Sequence, residues 1–237
     1  AITSGDDNTA VGKNALSANT SGEDNVAMGQ GALGLNTTGA RNTGIGDAAL
    51  SAATTADDNT AVGKFALYSN TTGALNTAMG VSALQENTTA SSNQAFGRRA
   101  LYLNSTGTEN NAFGYLALSA NTTGNYNSAF GNAALDANTT ANHNNAFGYS
   151  ALSANTTGTL NTAMGSYALA TATTASNNTG LGYSALYLCT TGANNTAVGR
   201  ASGQNITTGA QNVYVGAESG DAATTGANNT GVGYEAL

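Results

Sequence analysis

The sequence has no proline and no tryptophan, and only one cysteine and one histidine among its 237 residues. Each scarcity removes a class of protein. The lone Cys189 rules out an internal disulfide framework and leaves the redox compartment open. With His143 as the only histidine, there is no metal-binding spacing of Cys and His. Charge is scarce too, with 6 Lys and Arg against 13 Asp and Glu, a net charge of −7 and a pI near 4.3. The cations are scattered, only Arg98 and Arg99 being adjacent, so no basic stripe exists to hold nucleic acid. At 8% charged residues the chain is not a charge-rich disordered tail either. No apolar run approaches the ~20 residues of a membrane span. The chain opens on Ala1 without a visible signal peptide, which predicts a processed chain or a piece of something longer.

Alanine, glycine, asparagine and threonine fill the space left by these absences. The hydrophobic fraction is 40%, but much of it is alanine, so a conventional core of large side chains is not available. Burial must then come from many small, regular layers. A search for internal periods supplies them. From Thr9 the chain repeats every 17 residues: TAVGKNALSANTSGEDN, then VAMGQGALGLNTTGARN, then TGIGDAALSAATTADDN. Thirteen full units fill 9–229, flanked by partial units 1–8 and 230–237, which makes 1–237 a single continuous repeat domain.

Four columns stand out. Every unit ends in Asn, from Asn8 and Asn25 to Asn229, and its fourth place is Gly, from Gly12 to Gly233. The third place is always a large apolar residue, such as Val11, Met28, Ile45 or Phe96. The eighth is Leu from Leu16 to Leu237, except at Gly203 and Gly220. Helical-hairpin repeats need about 33 residues or more, whereas Thr, Asn and Gly are poor helix formers and Thr, Val and Phe suit strands. The expected fold is therefore all-β, a parallel β-solenoid with one 17-residue coil per repeat, each coil made of two short strands and two turns. The third-place residue is expected to point inward, so that Phe96, Phe113, Phe130 and Phe147 form an internal ladder. The invariant Gly is expected at positive φ. The invariant Asn suits a left-handed turn and a stacked amide ladder. The Thr-Thr pairs, such as Thr37-Thr38, suit an outer strand.

One coil cannot stand alone. Two large apolar residues per coil give roughly 4–6 kcal/mol of burial, against a backbone entropy cost of about 1–2 kcal/mol for each ordered residue. Stacking must supply the rest, and lateral association of copies is expected to help.

Asn59-Thr60-Ala61-Val62-Gly63 and Asn70-Thr71-Thr72-Gly73 carry a family resemblance that runs the length of the chain. The pattern resembles the head repeats of trimeric autotransporter adhesins, and more closely the Asn-Thr-rich repeats of phage tail fibres and bacterial surface proteins. The resemblance implies a left-handed parallel β-roll in a trimeric or otherwise laterally associated fibre, outside the cell, on a cell surface or a virion. The unit is longer than the adhesin head repeat, and no coiled-coil stalk, membrane anchor or chaperone domain is seen.

Candidate sites are few. His143 reads as a solvated turn residue and Cys189, in a column usually held by Asn, as a small packing substitute. Acidic pairs at Asp6-Asp7, Glu23-Asp24 and Asp57-Asp58 could converge on calcium, but most units carry neutral residues there. Neither a metal nor a cofactor is expected. Twelve Asn-x-Ser/Thr sequons occur, among them Asn19, Asn104 and Asn205, and most fall in a structural column. Tyrosines recur at the fifth place (Tyr115, Tyr149, Tyr183, Tyr234) and the ninth (Tyr68, Tyr102, Tyr187). They suit either an inter-chain seam or a stripe that stacks on surface glycans.

The clustered acids, bases and nucleophiles of an enzyme are lacking, and no enzymatic activity is expected. The leading expectation is a shaft segment of a fibre or adhesin, whose partners are copies of itself. The alternative is an ice- or surface-binding solenoid using Thr and Asn arrays. Because Leu237 meeting Ala1 of another chain would nearly complete a rung, end-to-end stacking, or a cut from a longer array, is also expected. Any local function falls to the variable fifth, sixth, ninth, tenth, fifteenth and sixteenth places.

Overall fold

Thr-Ala-Val and its variants favour extended backbone, and they form one three-residue strand per coil in the computed structural model, which describes residues 5–237. The protein is an all-β parallel solenoid, and no helix occurs among the described residues. The chain divides into two compact units, Ala1–Thr123 and Gly124–Leu237. The first holds β1 (Thr9–Val11), β2 (Val26–Met28), β3 (Thr43–Ile45), β4 (Thr60–Val62), β5 (Thr77–Met79), β6 (Gln94–Phe96) and β7 (Asn111–Phe113). The second holds β8 (Ser128–Phe130), β9 (Asn145–Phe147), β10 (Thr162–Met164), β11 (Thr179–Leu181), β12 (Thr196–Val198), β13 (Val213–Val215) and β14 (Thr230–Val232). Within each unit successive strands pair in parallel at an offset of one repeat, Thr43 opposite Thr60 and Thr179 opposite Thr196. Each column of the repeat therefore stacks on itself. The expected meeting of Leu237 with Ala1 lies outside the described residues.

Two expectations about the strands need correction. A coil has one strand, not two: the Thr-Thr segment is a bend, although its amides still bond from coil to coil, Thr37 N–H donating to the carbonyl of Thr54 at 2.9 Å. The third-place residues point out, not in. Strand side chains alternate faces, and the fully buried one is the second, Ala27, Ala61 or Ala146. Val11 is 55% exposed, Met164 48% and Phe147 37%. The phenylalanines do stack, Phe96 on Phe113 at 4.5 Å and Phe130 on Phe147 at 4.7 Å between ring centres, but on the outer face of the sheet.

A narrow interior explains the inversion. The eighth-place leucines are completely buried from Leu33 to Leu186, and they pack against the second place. A β-carbon built on Gly44 would meet Leu33 Cγ at 3.4 Å, and one on Gly180 would meet Leu169 Cγ at 3.5 Å. Only Ala or Gly fits beside such a leucine. The leucines themselves sit in the left-handed region, at φ near 50° in Leu67, Leu84 and Leu101, a conformation that costs an L-residue about 1–2 kcal/mol. Their amides are held by the coil above, Leu67 N–H donating to Ala83 O at 3.0 Å. The fourth-place glycine has positive φ as expected, 132° at Gly63, where a β-carbon would lie 2.6 Å from the carbonyl oxygen of Gly80.

Two asparagine ladders complete the interior. At the seventeenth place the Oδ1 of Asn59 accepts both the backbone N–H of Asn76 at 3.0 Å and its Nδ2 at 3.2 Å. Asn76 Nδ2 also donates to Ala90 O at 2.8 Å. The residue before each of these asparagines, not the asparagine, takes the left-handed turn, as in Leu75 at φ 60°. At the eleventh place Asn87 Nδ2 donates to Asn70 Oδ1 at 2.8 Å and to Ala90 O at 3.0 Å.

The two coils that lack the leucine show how closely volume is matched. Tyr214, the one aromatic residue in the second-place column, is fully buried. Its ring stands where leucine side chains would otherwise meet. A β-carbon on Gly220 would lie 2.6 Å from that ring, and one on Gly203 would meet Tyr214 Cδ2 at 3.3 Å and Ile206 Cδ1 at 3.4 Å. Ile206 replaces the eleventh-place asparagine and is likewise buried.

Candidate functional site

The constant columns are used up by folding, so chemistry is left to the outer surface. Place-twelve threonine hydroxyls are occupied as well: Thr37 Oγ1 donates to Thr54 O at 3.0 Å, and Thr71 Oγ1 to Thr88 O at 3.0 Å. The place-thirteen threonines, Thr38 to Thr225, are exposed, and in each unit they form a single rank.

The third acidic pair is engaged by its neighbours. Asp57 Oδ1 accepts the Ala40 backbone N–H at 2.8 Å, and Asp58 pairs with Arg41 at 2.6 Å. That hydrogen bond holds the Asp58 carboxyl below its ordinary pKa. Among the described residues, no group of three or more His, Cys, Asp or Glu side chains could hold a metal, and no helix is long and apolar enough to cross a membrane. His143 is exposed and stacks face to face on Tyr126 at 4.9 Å. Cys189 is fully buried in the asparagine column, its Sγ donating to Gly192 O at 3.3 Å, and burial pushes its thiol pKa up to about 11. Eight of the twelve sequon asparagines, Asn19, Asn36, Asn70, Asn87, Asn104, Asn121, Asn138 and Asn155, have completely buried side chains in the eleventh-place ladder.

The tyrosines divide into two settings. In the first unit they have cationic or aromatic neighbours: Arg99 lies over Tyr102 at 5.2 Å, Arg98 over Tyr115 at 5.8 Å, and Phe65 meets Tyr68 edge-on at 5.5 Å. In the second unit Tyr149, Tyr183 and Tyr187 gather around Tyr167, with ring centres 5.3, 6.1 and 6.4 Å from it, all edge to face. Among the described residues none of these four rings carries a cation. Burial, followed by the influence of Tyr149, raises the Tyr167 phenol above its ordinary pKa. Tyr234 stands apart, 69% exposed.

Tyr167 is absent from the sequence-derived stripe because it occupies the sixth place, not the fifth. The signal was present: its coil carries Ser166 at the fifth place, between Tyr149 and Tyr183 of the adjacent coils. The small serine leaves a gap in that column, and the displaced tyrosine lies against both neighbours. Tyr167, Tyr183 and Tyr187 line a cleft of about 380 Å³ together with Ser184 and Gln204.

Comparison of the chain with protein-family models, curated proteins and solved structures finds no match.

Proposed function

We propose that the protein is a structural, self-associating segment of a fibre on a cell or virion surface, most simply a trimer. The observation that carries this reading is the outward rank of third-place side chains. In each unit the outer face of the sheet presents a Val, Met, Ile, Leu or Phe from every coil, with a threonine or another small or polar residue two places before it in most. Exposed apolar surface arranged as a contiguous stripe marks an interaction site. A second copy has the same 17-residue step, so its stripe meets this one coil by coil. Association would also bury apolar area that a coil with one large interior side chain lacks.

An ice-binding surface needs hydroxyls ordered in two directions, and the bonding of the place-twelve hydroxyls to the next coil leaves a single free rank at place thirteen in each unit. The fibre reading is favoured for that reason. Sedimentation equilibrium tests it. The expected result is a discrete oligomer, converted to a smaller species by Met79→Asp with Phe96→Asp while the circular dichroism spectrum is kept. A wild-type protein that stays monomeric at every concentration would overturn the reading.

A further inference from the structure

We infer that the cleft around Tyr167 in the second unit binds an uncharged sugar, one or two pyranose rings of a glycan. The faces of pyranose rings are apolar and their edges are hydroxyls, so a protein that binds them offers aromatic faces with amides or hydroxyls beside them. Of the rings that line the cleft, Tyr183 is 57% exposed, and Tyr183 and Tyr187 meet Tyr167 at nearly right angles, 87° and 79°. The rings therefore present walls at different angles, with the exposed Tyr183 ring open to solvent. Gln204 lines the same cleft, and its side-chain amide has no hydrogen-bond partner among the described residues, which leaves both a donor and an acceptor for a ligand.

Size and charge narrow the class. A volume of about 380 Å³ is at the small end of the ~300–1,000 Å³ range of ligand sites, enough for a monosaccharide or disaccharide unit. No charged side chain lines it. The nearby Arg200 is already paired with Glu218, so neither a phosphate nor a sulfated sugar would find a free cation. In the first unit, by contrast, Lys64, Arg98 and Arg99 lie over the rings of Phe65, Tyr115 and Tyr102.

The repeat supplies conservative variants for the test. Serine already stands at the fifth place in Ser166 and at the sixth in Ser150 and Ser184, and at the ninth in Ser17 and Ser51. Tyr183→Ser and Tyr167→Ser thus introduce residues that other coils accommodate, and Tyr68→Ser serves as the control. Cellobiose, maltose, lactose and diacetylchitobiose are titrated into the intact assembly, with saturation-transfer NMR and tyrosine fluorescence as readouts. At least one disaccharide is expected to bind with a millimolar or tighter Kd. Each cleft variant should weaken it by about tenfold or more, and Tyr68→Ser should leave it unchanged. Absence of binding to the wild type at millimolar sugar would overturn the proposal. So would binding that survives both cleft variants with the fold intact by circular dichroism. Oligomeric state is a separate readout, so failure here leaves the fibre reading standing.

Discussion

The two asparagine columns look alike in sequence, yet they do different work. At the seventeenth place the amide replaces a missing backbone partner. Asn93 N–H has no carbonyl to bond and donates to Asn76 Oδ1 at 3.0 Å, while Asn76 Nδ2 reaches Ala90 O. At the eleventh place the backbone is already satisfied: Asn87 N–H donates to Leu84 O at 3.2 Å, and Ala53 N–H does the same to Leu50 O. The first ladder closes the backbone ring, and the second only fills the interior. Accordingly the first is invariant along the chain, whereas the second gives way to Ala53, Ala172, Cys189, Ile206 and Ala223. Where it stops, an acceptor is stranded. Asn36 Oδ1 and Asn155 Oδ1, directly before Ala53 and Ala172, are buried without a hydrogen-bond partner.

Breaking the closing ladder should have the largest effect. Asn76→Ala strands the Asn93 amide and removes three further bonds, and each unsatisfied buried group costs about 1–3 kcal/mol; a loss of ~4 kcal/mol or more is expected in thermal or denaturant unfolding. Asn87→Ala, between two intact asparagines of the other ladder, should cost only about 1–2 kcal/mol, because alanine already occurs in that column and no backbone group is stranded.

The gaps sharpen the contrast. Ala53→Asn joins Asn36 Oδ1 to the coil above and gives Asn70 Nδ2, which bonds only Gly73 O, a second acceptor. It should stabilise by about 1 kcal/mol. Ala172→Asn looks equivalent but faces Cys189, so the stranded oxygen merely moves up one coil, and stability should change little. Equal gains from both substitutions would refute the ladder account of the gap. The buried thiol offers an independent check: with its pKa near 11, Cys189 should resist a thiolate-directed reagent in the folded protein at neutral pH and react on unfolding. The smallest effect concerns the turn that aims the closing ladder. Leu75, 58% exposed at φ 60°, should gain a few tenths of a kcal/mol on replacement by Asn, which tolerates that conformation better.

The 17-residue period, the parallel stacking, the glycine turn and the seventeenth-place amide ladder were all legible in the sequence, because a solenoid writes its geometry as columns. The direction of the strand side chains was not. The usual rule sends the larger residue inward, but here the leucine of the eighth place, held in a left-handed turn, fills the interior and leaves room only for alanine beside it. That turn cannot be anticipated from leucine's own preferences. Tyr214 is the instructive case, since the only aromatic residue in the second column lies between Gly203 and Gly220, the two glycines that replace the leucine. Read together, those three positions reveal which column faces inward. The tyrosine cleft was half legible: Tyr149, Tyr183 and Tyr187 followed from the columns, whereas Tyr167 lay one place out of register and became part of the cluster only through neighbouring coils.

Native-state hydrogen exchange at the backbone amide of Asn93 tests the division of labour between the ladders most directly. In the wild type this amide should exchange as slowly as that of Gln94, which donates to the carbonyl of Asn110, just before β7. Asn87→Ala should leave it protected, and Asn76→Ala should speed it on the order of 100-fold. Equal protection of the Asn93 amide in both variants would contradict the claim that a side-chain ladder closes the backbone of this solenoid.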